Sequence, residues 1–190
     1  MLTRPTDIIM LQNNYVLIDR DGVINYDSDH FIKSPEEWKP IEGSLEAIAL
    51  LNKHGYHVVV ITNQSGLARG LFDAAMLEKI HLKMRCMTEE KGGKIDAIYF
   101  CPHGPDDECN CRKPKPGLFK AFAADFDADL TTIAVIGDSL RDLQAAEAVG
   151  AKPILVKTGK GLRTLLNNPH LNIPVFENLY DAAQHLITRS

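Results

Sequence analysis

Four polar clusters and one sulfur-rich loop carry the residue types in this chain that can do chemistry. Asp19-Arg20-Asp21-Gly22-Val23-Ile24-Asn25 holds two aspartates two positions apart, and Gly22 frees the backbone to turn. Both carboxyls can therefore be aimed into one site. Thr62-Asn63-Gln64-Ser65-Gly66 offers a hydroxyl, amides and backbone N–H groups of the kind that suit phosphate oxygens. Arg112-Lys113-Pro114-Lys115-Pro116-Gly117 presents a compact ammonium and a forked guanidinium on a segment stiffened by two prolines, with Pro116 suited to a first helical turn. Gly137-Asp138-Ser139-Leu140-Arg141-Asp142 sets Asp138 and Asp142 one helical turn apart, where they can face one side. Each cluster has a plain structural reading by itself: a capped polar loop, a turn, a solvated basic loop and acids complementing a helix N-terminus. Together they supply a nucleophilic carboxylate, an acid–base carboxylate, a hydroxyl, a lysine and a metal-binding carboxylate, the parts needed for phosphoryl transfer.

The fifth cluster has a different chemistry. Cys101-Pro102-His103 is followed by Cys109-Asn110-Cys111, so three sulfurs and one imidazole share a tight loop. That ligand set matches a closed tetrahedral Zn²⁺ site, structural because it leaves no open coordination position. The fourth cysteine, Cys86, falls in a helical pattern and is expected to be a small core residue.

The elements that must position these clusters are legible as alternating apolar runs and helical patterns. Strands are expected at Tyr15–Asp19, His57–Thr62, Ala97–Phe100, Ile133–Gly137 and Pro153–Val156, the third resembling an edge, with a short strand at Pro174–Phe176. Helices are expected at Ser44–His54, with Ser44 as N-cap, and at Ala74–Lys91, Pro116–Asp127, Leu140–Val149 and Leu179–Thr188. The alternation predicts an α/β fold, a doubly wound and mostly parallel sheet with helices on both faces. Every polar cluster then follows a strand, at the sheet edge where such folds bind ligands. The gap between Gly22 and the first helix is too short for a helical cap domain, so loops must close the site.

Composition narrows the class further. A chain of 190 residues is expected to form a single domain spanning 1–190, and 45% hydrophobic with 24% charged residues excludes a disordered class. The net charge of −4 argues against a nucleic-acid binder. No apolar run approaches the ~20 residues of a membrane span. The N-terminal stretch MLTRPTDIIMLQNN lacks the pattern of a secretory signal, which implies a cytoplasmic protein with reduced thiols.

The order DxD, Thr, Lys, acidic pair, spread from Tyr15 to about Thr158, resembles the haloacid dehalogenase (HAD) superfamily of phosphatases. The zinc loop abutting Arg112-Lys113-Pro114, with Thr62-Asn63-Gln64-Ser65-Gly66-Leu67-Ala68-Arg69-Gly70, resembles the subfamily containing D-glycero-D-manno-heptose 1,7-bisphosphate phosphatases and histidinol-phosphate phosphatases. The resemblance implies a Rossmann-like fold and an aspartyl-phosphate formed on Asp19, with Asp21 as acid and base and Thr62 and Lys113 stabilising the phosphoryl oxygens. Mg²⁺ is implied on the Asp19 and Asp138 carboxylates and the Asp21 carbonyl. Substrate contacts are implied for Asp19, Arg20, Asp21, Thr62, Asn63, Gln64, Ser65, Arg112 and Lys113, and for the loop Asp27-Ser28-Asp29-His30. The resemblance further implies a small phosphorylated sugar that loses its 7-phosphate, on the ADP-heptose route to the lipopolysaccharide core, and the enzyme is expected to be a monomer. Zinc would hold the loop rigid so that Arg112 and Lys113 point at the ligand. The chain departs from some relatives in carrying Ser139, not Lys, after Asp138. Histidinol phosphate as substrate remains the sister reading, and a phospho-accepting receiver or a zinc-stabilised interaction module are the non-enzyme ones.

Overall fold

The Val16-Leu17-Ile18 and Val58–Ile61 runs are almost wholly withdrawn from solvent, as strands covered on both faces must be. In the computed structural model, which describes residues 14–188, they lie in β1 (Asn14–Ile18) and β2 (Tyr56–Asn63). The N-terminal stretch read for a secretory signal falls, but for Asn14, outside the described residues. The other strands are β3 (Ala97–Cys101), β4 (Ala134–Gly137), β5 (Lys152–Val156) and β6 (Val175–Phe176), all parallel, in the order β3-β2-β1-β4-β5-β6. The third strand is indeed an edge. The winding direction switches between β1 and β4, and the carboxyl ends of those strands flank the crevice such sheets use for ligands.

Helices α1 (Ser44–Lys53), α2 (Ala74–Glu90), α3 (Gly117–Phe126), α4 (Leu140–Glu147), α5 (Gly161–Asn167) and α6 (Leu179–Thr188) make the crossovers and the covering layers. Strand side chains alternate between two apolar cores. Val16, Ile18, Val58 and Val60 pack with Leu45, Ile48, Ile80, Met84 and Ala182, the layer of α1, α2 and α6. Leu17, Val59 and Ile61 pack with Phe119, Phe122, Ala145 and Ala146, the layer of α3 and α4. Between β1 and α1 the chain runs as turns and isolated bridges with no helix, so no helical cap overhangs the crevice.

Two local expectations are corrected, and one helix is added to those expected. Ser44 does not cap α1: Gly43, left-handed at φ 79°, precedes the helix, and the Ser44 hydroxyl donates to the buried Ile24 carbonyl at 2.7 Å. Ser44 is the first helical residue, past the cap position, and its hydroxyl turns to supply the donor that the buried carbonyl needs. Cys86 is exposed, because α2 buries the stripe Leu77, Ile80, His81, Met84 and Thr88, which bypasses position 86. Helix α5 was not anticipated, since its seven residues give too short a periodic pattern. Among the described residues no helix is long and apolar enough to cross a membrane.

Candidate active site

Strands β1, β2 and β4 end by delivering Asp19, Thr62 and Asp138 to the floor of a cavity of about 260 Å³. Lys113 reaches this floor from the segment before α3. Its Nζ lies 2.9 Å from Asp19 Oδ1 and 2.6 Å from Asp142 Oδ1, and donates to the Ile61 carbonyl at 2.7 Å. Burial alone would lower the Lys113 pKa, but Asp142 and Asp19 hold it above the usual lysine value. Asn63 fixes the segment: its amide accepts from Lys113 N at 3.0 Å and donates to Lys113 O at 3.1 Å. Asp142 is also the N3 acid of the α4 capping box, accepting from Ser139 N at 3.0 Å and Ser139 Oγ at 2.5 Å.

Three carboxylates, of Asp19, Asp138 and Asp142, bring oxygens within 4.8 Å of one another. Burial, with the charges of Asp142 and Asp21 added and Lys113 opposing, raises Asp19 to about 7. Burial and the neighbouring Asp19 and Asp142 raise Asp138 to about 8. One lysine does not balance three carboxylates at this spacing, and Asp142 is already committed to Lys113 and Ser139. The unbalanced pair, Asp19 and Asp138, therefore fits a hard divalent cation. Asp138 sits in a cradle of backbone. Its Oδ2 accepts from Lys160 N at 2.7 Å, and a Cβ built on Gly22 or Gly159 would lie 2.1 or 2.2 Å from that oxygen. Both glycines also have positive φ, so no side chain is admissible at either.

Asp21 points away from Lys113. Its oxygens accept from Arg20 Nε (3.1 Å) and Nη2 (3.0 Å), Asn25 Nδ2 (2.9 Å) and Gln64 Nε2 (2.9 Å). Burial works against ionisation here, but Arg20 and the amide donors win and hold the carboxyl below its usual range. Gln64 Nε2 also donates to Thr62 Oγ1 at 2.9 Å, linking the first two clusters.

At the rim, Asp27, Ser28 and Asp29 line the cavity, and Asp27 pairs with Lys160 at 2.7 Å. His30 is exposed and lies outside the lining, whereas Ser65 and Arg112 are part of it. Arg69, Arg112 and Arg141 converge there, and among the described residues none of them pairs with a carboxylate. Burial, then repulsion from Arg141 and Arg69, lowers the Arg112 pKa.

Beside the cavity, Cys101, His103, Cys109 and Cys111 converge as expected. Cys111 Sγ lies 3.1 Å from Cys101 Sγ and 3.2 Å from His103 Nδ1, and all four donors fall within 4.8 Å. Burial and the neighbouring Cys111 push the Cys101 thiol up to about 12. Packed thiols resist ionising together, and a zinc ion is the charge that would reverse this, so the donor set fits Zn²⁺. The loop is wired to the floor: Gln64 N donates to Cys101 O at 2.8 Å and Arg112 Nη1 to His103 O at 3.2 Å.

A HAD-hydrolase-like family model matches residues 110–182. The D-glycero-beta-D-manno-heptose-1,7-bisphosphate 7-phosphatase of Pseudomonas putida is 52% identical over 172 residues, covering 90% of this chain and 98% of that protein. The Pseudomonas aeruginosa enzyme of the same name is 48% identical, covering 93% and 99%. This chain belongs to that heptose-bisphosphate phosphatase family. The crystal structure of the D,D-heptose 1,7-bisphosphate phosphatase from B. bronchiseptica, complexed with magnesium and phosphate, superposes with a TM-score of 0.91 at 50% identity, covering 93% of this chain and 99% of that one.

In this heptose-bisphosphate phosphatase family member the site holds residues beyond the four sequence clusters. The Thr158-Gly159-Lys160 turn after β5 is a further polar cluster at the same sheet edge: Thr158 Oγ1 donates to Gly22 O at 2.7 Å, and Lys160 serves both Asp138 and Asp27. A Thr-Gly-Lys following an apolar strand was the available signal. Arg69 and Arg141 stand inside the second and fourth motifs, but nothing local marks them as rim residues, because only the fold brings them beside Arg112.

Proposed function

We propose that this protein removes the 7-phosphate of D-glycero-D-manno-heptose 1,7-bisphosphate through an aspartyl-phosphate on Asp19. The observation that carries the choice of substrate is the arginine trio at the mouth of the cavity. A site with Lys113 at its floor and three unpaired guanidiniums at its rim suits a ligand with an anion at each end. Histidinol phosphate carries an ammonium opposite its phosphate, and that charge would face Arg69, Arg112 and Arg141. The relatives named above act on the β anomer, which is the anomer proposed here.

In the first step an Asp19 oxygen attacks phosphorus in line, the bond from phosphorus to the sugar oxygen breaks, and Asp21 gives that oxygen a proton. Asp21 rests as a carboxylate held by Arg20 and takes the proton it delivers from solvent as substrate binds, the negative phosphoryl group beside it raising its proton affinity. In the second step Asp21 takes a proton from water, whose oxygen attacks phosphorus and releases Asp19. Lys113 Nζ and the Thr62 hydroxyl stabilise the equatorial oxygens in both steps. Magnesium, when held by the Asp19 and Asp138 carboxylates and the Asp21 carbonyl, offsets the repulsion between carboxylate and phosphate. Ser65 and the 27–29 loop contact the sugar, while Asn63, Gln64 and Arg20 act by holding Lys113, Thr62 and Asp21. The enzyme acts as a monomer in the cytoplasm, where reducing conditions keep the zinc-loop thiols free, and supplies the ADP-heptose route to the lipopolysaccharide core.

Phosphate release measured on both heptose 1,7-bisphosphate anomers and on histidinol phosphate tests this reading. The β bisphosphate is expected to exceed histidinol phosphate in kcat/KM by about a hundredfold. A preference for histidinol phosphate would overturn the substrate and leave the chemistry of Asp19 standing.

A further inference from the structure

His81 lies on α2, sixty-one residues from Arg20 in sequence, and is buried to 3% exposure. Its Nε2 sits 3.3 Å from Arg20 Nη1. A guanidinium donates only, so this contact requires an unprotonated Nε2 and places the ring proton on Nδ1. Burial, with the Arg20 charge alongside, pushes the His81 pKa down to about 3, which agrees with a neutral ring. On its other edge the same guanidinium uses Nε and Nη2 to fork onto Asp21, and Nη2 also donates to Gln64 Oε1 at 3.1 Å. The Arg20 guanidinium is thus pinned at both edges and is not free to hold substrate, its side chain being 1% exposed.

We infer that His81 is a positioning residue for proton transfer, acting as the buried acceptor that fixes the Arg20 guanidinium and, through its fork, the orientation of the Asp21 carboxyl. The inference rests on the reading of Asp21 as the acid. A buried guanidinium robbed of one acceptor turns to find another, because an unsatisfied buried donor is costly. The Asp21 carboxyl would turn with it, and small misplacements of a proton donor carry large losses of rate.

The test exploits the leaving group. A sugar alkoxide needs the Asp21 proton, whereas the phenolate of p-nitrophenyl phosphate departs without one, and kcat/KM reports the steps up to that departure. In His81→Phe, kcat/KM for the heptose bisphosphate is expected to fall about tenfold to a hundredfold, with p-nitrophenyl phosphate changed less than about twofold. His81→Gln, which offers an amide oxygen near the Nε2 position, is expected to restore most of the loss. An equal fall on both substrates, no fall on either, or no rescue by glutamine would overturn the inference. Asp21→Asn separates the two layers of the reading: it should show the same selectivity in stronger form, and if it does not, the acid assignment itself fails. Should His81→Phe not fold, ¹⁵N NMR of the imidazole in the unmodified protein decides. An unprotonated, hydrogen-bonded Nε2 supports the inference, and an Nε2–H or an imidazolium overturns it.

Discussion

Asp19 and Asp138 are two acids that the fold makes reluctant to ionise. Their values of about 7 and about 8, against an ordinary 3.8, mean that both bind protons more readily folded than unfolded. The metal-free protein should therefore lose stability as pH rises from about 4 toward 8, as these protons are shed. Asp21 and Asp142 run the opposite way, being lowered in the fold, and their contribution is lost only as pH falls through the acid range. The expected result is a melting temperature of the metal-stripped protein that declines between about pH 5 and pH 8, with saturating Mg²⁺ removing the decline. A flat metal-free profile would mean that the two carboxyls are not charge-frustrated. At this scale the sequence was informative where a residue's place in the cavity follows from its type and its position at a strand's carboxyl end, as for Asp19, Asp21, Thr62 and Asp138. Roles that depend on a distant partner were invisible. Asn63 reads as a phosphate donor until Lys113, fifty residues on, is found bonded to both ends of its amide. Asp142 reads as a capping acid, which it is, while also holding Lys113.

Cys101 ends β3, and the loop bearing the other three candidate zinc donors joins this edge strand to the segment that carries Arg112 and Lys113. Its ties to Gln64 and Arg112, and the donation of Gly117 N to Asn110 O at 3.0 Å, leave the loop no rearrangement that spares Lys113. Removing zinc should cut phosphate release by about tenfold or more while the Mg²⁺ concentration for half-activation stays within about twofold, since Asp19 and Asp138 stand on other strands. Elemental analysis paired with a magnesium titration measures both, and full activity in zinc-free protein would refute the arrangement. Strands were readable as unbroken apolar runs, and the long helices because their periodicity persists over several turns. The short pieces were not: α5 is seven residues, and the Ser44 hydroxyl goes to the Ile24 carbonyl, twenty residues back, which a local pattern does not contain.

On the scale of the whole molecule, the two apolar layers share the same strands, Val16 and Ile18 facing one and Leu17 the other. Loosening either layer exposes the strands to both, so the chain is expected to unfold in one transition, with equal calorimetric and van't Hoff enthalpies. Two separable transitions would show that residues 1–190 are not a single domain. The architecture was legible because apolar strands alternating with helices leave few topologies, and the parallel order puts every cluster at one edge. What the one-dimensional pattern does not carry is which backbones touch. Gly22 and Gly159 meet under the Asp138 carboxylate too closely for even one methyl group. Any laboratory library, or any lineage drifting toward new substrates, is barred from those two positions and must explore specificity around the cavity mouth, at residues 28, 29, 69 and 141, which stand clear of the Asp138 cradle.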